Sequence, residues 1–185
     1  MKLYWLDIET TGLDPNKCTI LEVAVAEADL RDPFSFKHIY NSPIKFESFL
    51  SPNLDPYILK MHTTNGLLDE CGHATKTLSE VENDLLELIP HVENKAERPI
   101  LAGSSIHFDH SFIRVHMFRL AERLSHRHYD VSAIKLFCQS MGMETPPKAE
   151  AHRAKDDIEE SIAHCLGCYK WLQSFGFGTT PVNSK

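Results

Sequence analysis

No stretch of this chain approaches the run of about 18 apolar residues that a membrane span requires. The apolar run within Met1–Glu9 is too short for a secretory signal, so none is expected. Cysteine is sparse and odd in number, five residues without framework spacing. That pattern excludes a disulfide-stapled secreted domain and points to reduced thiols in a cytoplasmic protein. Basic residues are outnumbered, 19 against 26 acidic, for a net charge of −7. Such a chain lacks the field that holds long duplex by counterion release. A short anionic substrate held by metal ions and a few donors remains compatible with it. There are no internal repeats and no interior linker.

What is present reads as one domain. The chain has 185 residues, 42% hydrophobic and 24% charged, ordinary for a globular protein with its own core. We expect a single domain over residues 1–175 and a flexible tail over 176–185. Leu3 to Ile8 is an apolar run and reads as a buried strand. Thr10 to Asn16 holds Gly12 and Pro15 and reads as a turn. Thr19 to Ala28 predicts a second strand, and a third falls between Ser35 and Phe46. Pro52 to Cys71 reads as loop and short helices. Thr77-Leu-Ser-Glu-Val-Glu82 offers two overlapping capping boxes before a stripe of Val81, Leu85, Leu88 and Ile89. Pro99 to Gly103 predicts a short strand, and Ile106 to Leu124 one long helix. A last strand follows at His128 to Val131, then a helix from Ser132 to Met141 stopped by Gly142. Glu144 to Ala151 is a loop, and His152 to Phe175 is the last helix. Strands first and βα alternation later predict an α/β fold, a mixed sheet with helices on both faces.

Asp7 and Glu9 sit two apart on the first strand, so both point to one face. Two carboxylates there repel each other unless cations neutralise them. Hard divalent ions such as Mg²⁺ or Mn²⁺ suit oxygen donors. Alone, the pair reads more often as a solvated strand end. Asp109 opens a helix after an apolar strand, and alone it reads as a charge on the helix dipole. Asp157 lies at the edge of the last helix's apolar stripe and can face inward, while Asp156 faces solvent. His152 precedes it by five residues, and histidine is the residue type that suits a general base near neutral pH. Alone, it is an exposed loop histidine. Together, four carboxylates in this order can hold two metals about 4 Å apart, the clamp for in-line displacement at phosphorus.

These residues carry a resemblance. Asp7-Ile-Glu-Thr-Thr-Gly-Leu-Asp-Pro15, His62-Thr-Thr-Asn-Gly-Leu67, Gly103-Ser-Ser-Ile-His-Phe-Asp109, Arg127-His-Tyr-Asp-Val-Ser132 and His152-Arg-Ala-Lys-Asp-Asp-Ile158 resemble the oligoribonuclease family, within the DEDD exonucleases of the histidine subtype (DEDDh). The resemblance covers about Leu3 to Leu172. It implies an RNase H-like mixed β-sheet and a 3′–5′ exonuclease that hydrolyses short oligonucleotides, 5′-phosphorylated dinucleotides above all. It further implies two divalent ions, Mg²⁺ or Mn²⁺, held by Asp7, Glu9, Asp109 and Asp157, with His152 as base. Leu13 matches the family's wedge between two bases, and Tyr57 falls near its stacking tryptophan. His62, Ser105 and Arg127 match a cap that grips the 5′ phosphate. The family is a homodimer in which one cap residue crosses the interface, a tyrosine there and His126 here. Ser104 stands for a familiar asparagine and Phe108 for a polar residue. RNA and DNA dinucleotides both remain open.

Other features read as structure. His107, His110, Arg114, His116, Arg119 and Arg123 read as a solvated helix face, given the acidic total. Cys165 and Cys168 beside His164 lack a second pair for zinc. Trp5 and Trp171 read as core aromatics, and Asp130 and Ser132 as caps. Two other functions compete: an exonuclease trimming longer single strands, and a nucleotide-binding protein without catalysis. Against the second, all five catalytic positions hold competent residues.

Overall fold

The computed structural model describes residues 1–47, 55–145 and 152–177. Parts of the expected loops at Pro52 and at Glu144–Ala151, and most of the expected tail, lie outside them. Three strands come first: β1 (Lys2–Thr10), β2 (Ile20–Asp29) and β3 (Asp32–Pro43). They form an antiparallel meander. β4 (Ile100–Gly103) and β5 (His128–Asp130) join parallel to β1, giving the order β3-β2-β1-β4-β5. The third strand starts at Asp32, three residues before the span expected from the sequence, because it pairs back along β2 from the turn at Asp29. α1 (Pro56–Thr64) and α2 (Leu67–His73) follow the meander, then α3 (Leu78–Leu88), α4 (His107–His116), α5 (Phe118–Ala121), α6 (Val131–Ser140) and α7 (Ala154–Ser174). No described helix is long and apolar enough to cross a membrane.

The sheet is apolar on both faces. Tyr4, Leu6 and Ile8 point into a core closed by Val81, Leu85 and Ile89 of α3 and by Phe112 and Ile113 of α4. Leu3 and Trp5 point the other way, with Ala24, Ala26 and Ala28, against Ala154, Ile158, Ile162 and Cys165 of α7. The three alanines give α7 a shallow bed on the sheet. Asp7 and Glu9 continue that same face of β1 beyond the apolar pair, so α7 reaches them with its first turns. Gly103 ends β4 so close to β1 that a Cβ there would stand 2.9 Å from the Leu6 carbonyl oxygen. Glycine is needed there for this close approach. Thr77 caps α3 through the expected box with Glu80. Leu88 is exposed and leaves the α3 stripe, and Trp171 is only half-buried.

The long helix expected over Ile106–Leu124 is broken. α4 stops at Met117, whose backbone (φ −133°, ψ 57°) is not helical, and α5 starts at once. The cause lies on α3. Glu82 accepts from the Arg119 and Leu120 backbone N–H groups at 2.9 and 3.2 Å. It also pairs with the Arg119 guanidinium at 2.6 Å. Glu82 thus caps α5 rather than completing a second capping box. Nor is the basic face simply solvated. Arg123 donates to the Leu86 and Ile89 carbonyls that end α3, and His116 bonds the Pro15 carbonyl.

Replacing Glu82 with alanine should therefore destabilise the protein by about 2–3 kcal/mol, because two backbone donors and a guanidinium lose their acceptor. Urea unfolding should show a lower midpoint with an unchanged slope. A loss under about 0.5 kcal/mol, the level of ordinary surface changes, would rule out Glu82 as the cause of the break.

Candidate active site

Two elements bring three carboxylates together. β1 carries Asp7 and Glu9 on one face, and α7 lays Asp157 over them. One oxygen from each of Asp7, Glu9 and Asp157 lies within 4.8 Å of the others. Asp157 and Glu9 are buried and Asp7 half-buried, whereas Asp156 is exposed, as the helical phase predicts. Three negative charges so close are costly to leave unneutralised. The set fits a hard divalent cation, since it offers only oxygen within sharing distance.

Asp109, in the first turn of α4, is not among the three carboxylates within that distance and stands on the β1 backbone instead. It is 4% exposed, and its Oδ1 accepts the Ile8 N–H at 3.0 Å, between the two β1 carboxylates in sequence. Burial pushes its carboxyl up to about 7, with the negative charges of Asp130 and Asp157 adding to the rise. The Ile8 bond works the other way.

His152 stands just before α7 in the left-handed region, with φ 48°. Asn65 donates to its carbonyl at 2.6 Å. Its neighbour Arg153 pairs with Glu22 and Glu70. Glu22 is the register partner of Glu9 on β2 and is buried. Sequence reading missed Glu22, Asn65 and Glu70. For Glu22 a signal was there: a lone acid among the apolar residues that begin β2.

His62 departs from the expected cap. It is fully buried, with Nε2 3.5 Å from Glu9 Oε2. Burial lowers its pKa, and the nearby His152 and Arg153 lower it further. Its side chain faces Glu9 inside the protein rather than the surface. Ser105 also has a left-handed backbone (φ 54°). Its N–H donates to Asp130 Oδ1 at 3.3 Å and its Oγ meets Ser132 Oγ at 3.0 Å. Asp130 caps α6 as expected, while Ser132 is engaged by Ser105. Leu13 and Tyr57 are well exposed, at 77% and 69%, as base-contacting residues must be.

His126 and Arg127 are exposed and lie at the start of β5, whereas Ser105 and Ser132 flank its end. Three residues of extended chain separate the ends, roughly 10 Å. Within one chain these four do not meet at a point. His126 instead lines a basic groove with Lys95, Arg98, His110 and Arg114. The cysteines are free, and none joins the metal-capable group found among the described residues.

The exonuclease family model RNase_T matches residues 4–164. The oligoribonuclease of Corynebacterium diphtheriae is 37% identical over 94% of this chain and 84% of its own length. The mitochondrial oligoribonuclease of Mus musculus is 33% identical over 87% of this chain and 69% of its own. Among solved structures, exonuclease I from Methylocaldum szegediense shares the fold with a TM-score of 0.66 at 19% identity. It covers 89% of this chain, which spans 40% of that protein. Escherichia coli exonuclease I in complex with a dA16 oligonucleotide gives a TM-score of 0.65 at 14% identity, over 94% of this chain and 43% of that one. The RNase H-like α/β fold expected from the sequence is borne out. The chain belongs to the exonuclease family that includes the oligoribonucleases, and it is a metal-dependent 3′–5′ exonuclease.

Proposed function

We propose that the enzyme hydrolyses 5′-phosphorylated dinucleotides to mononucleotides, with RNA and DNA both possible substrates. The observation that carries the reading is the carboxylate group at the end of β1, with Leu13 and Tyr57 exposed. Asp7, Glu9, Asp109 and Asp157 would hold two ions, Mg²⁺ or Mn²⁺. Bound there, the ions supply Lewis acidity and charge neutralisation at the scissile phosphate. His152 takes a proton from the attacking water as general base. Leu13 wedges between the two bases, and Tyr57 stacks on one of them. Ser105 offers a hydroxyl to the 5′ phosphate.

Arg127 and His126 then reach that phosphate from a second copy of the chain. This reading follows from their place at the far end of β5. It makes the enzyme a homodimer with composite sites, working in the cytoplasm. A terminal phosphate carries about −1.5 to −2 charges, and a guanidinium meets it with a planar fork. A longer strand presents a singly charged diester instead, with another nucleotide in the way.

Alanine at Asp7, Asp109 or Asp157 should nearly abolish hydrolysis, while Asp156→Ala should leave most of it. An essential Asp156 beside a dispensable Asp157 would move the metal site elsewhere.

Stability of the metal-free protein should depend on pH through Asp109. Its folded pKa of about 7 exceeds the ordinary value of 3.8. The folded state therefore binds the proton more tightly. That contribution is fully present below pH 4 and is lost as pH rises through 7. Melting with chelator should show the decline, and Mg²⁺ or Mn²⁺ should reverse it by binding only the folded ligand set. A flat profile would refute it.

Arg127→Ala should weaken dinucleotide binding about 10–100-fold, the worth of one or two charge-assisted bonds. A seven-nucleotide substrate should lose much less. Equal loss on both lengths would deny Arg127 any part in reading length, and equal cleavage of both by the unaltered enzyme would remove the cap.

Sedimentation of dilute protein should show a dimer. At limiting dinucleotide, mixing weakly binding Arg127→Ala with inactive Asp157→Ala subunits should restore up to about a quarter of native activity, since half the dimers then hold one complete site. No recovery in proven mixed dimers would exclude a phosphate contact from the partner.

A further inference from the structure

We infer that Arg153 is a positioning residue for His152, a latch that fastens the start of α7 to two carboxylates. The inference rests on His152 as the base, as proposed above. His152 holds a left-handed backbone (φ 48°). A non-glycine residue keeps that conformation only where its surroundings over-determine it. On one side, Asn65 Nδ2 donates to the His152 carbonyl at 2.6 Å. Asn65 Oδ1 also accepts the Leu67 N–H at 3.1 Å, so the grip is anchored in the α1–α2 turn.

The other side is held by Arg153. Its Nη2 and Nε donate to Glu22 at 3.0 and 3.3 Å. Its Nη1 and Nη2 donate to Glu70 at 2.9 and 2.7 Å. One planar fork thus spans two carboxylates on different elements, β2 and α2, which a lysine ammonium cannot reproduce. Glu22 is 1% exposed and also accepts the Ala154 N–H at 3.0 Å. It serves the first residue of α7, where the helix has no side-chain cap of its own.

Glu22 stands directly across from Glu9 on the neighbouring strand. The latch therefore fixes the base relative to the strand that carries the metal ligands. Stability alone does not call for such an arrangement, since apolar residues of similar volume fill a buried site at least as well. Geometry does, because a displacement of about 1 Å in a catalytic group can cost on the order of 100-fold in rate.

The test uses Glu70→Gln and Arg153→Lys, each in the native enzyme and in a His152→Ala background. Glu70→Gln breaks the exposed side of the latch without stranding a buried charge, and Arg153→Lys keeps the charge but not the fork. Rates are measured on both dinucleotide and seven-nucleotide substrates. We expect kcat to fall about 3–10-fold for Glu70→Gln and about 10–100-fold for Arg153→Lys on either length, with KM within about twofold. In the His152→Ala background neither variant should slow the reaction further, because a residue acting through His152 has nothing left to position. The same proportional loss with and without His152 would overturn the inference, and so would native kcat in both variants. A substrate preference that did not favour dinucleotides would sink the length reading and leave this comparison intact.

Discussion

Repulsion between like charges governs the end of β1. Asp7, Glu9 and Asp157 converge there, Asp109 accepts the Ile8 N–H between two of them, and Glu22 lies buried on the next strand opposite Glu9. A sheet end with this much negative charge persists only if each carboxylate has a partner. The protein divides the work. Glu22 is neutralised by Arg153 and by the first amide of α7. Asp109 receives the Ile8 amide and otherwise tends to keep its proton. Asp7, Glu9 and Asp157 gather within 4.8 Å of one another, a set whose oxygens fit a hard divalent cation.

Helix ends are the fold's means of placing these groups. α4 begins just after β4, the parallel neighbour of β1, so Asp109 arrives in its first turn beside Ile8. α7 begins where Arg153 is held, so Asp157 arrives within its first turn over Asp7 and Glu9. Each start is secured by a partner distant in sequence. Ser104 Oγ meets Ser161 Oγ at 2.9 Å and joins the β4 end to α7. Ser105 joins the same turn to Asp130 and Ser132. The turn after β4 is thus held from two sides, and its left-handed residue is a consequence of that hold.

Much of the fold and most of the acidic site were legible in the sequence, because they depend on period and order. Alternation along β1 sets Asp7 and Glu9 on one face. Helical phase turns Asp157 inward and Asp156 outward. Thr77 and Glu80 close a box within four residues, which needs no distant partner. The family motifs named the same positions independently.

Other features depended on contacts that local sequence does not encode. A continuous helix over Ile106–Leu124 satisfies every local rule, yet Glu82 breaks it from another helix by offering its amides a better acceptor. His62 reads as a surface donor from its motif, but packing places it wholly inside, against Glu9. Arg127 and Ser105 look like neighbours in function, and register sets them at opposite ends of β5. Glu22 passes for a stray acid until β2 is laid antiparallel to β1 and Arg153 arrives from 131 residues away. By itself the sequence determined the strands, the helical phases and which acidic side chains share a face, since each follows from neighbours a few residues apart. Only the tertiary structure decided which charges pair with one another and which carboxylates gather within 4.8 Å, since that depends on pairings between residues distant along the chain.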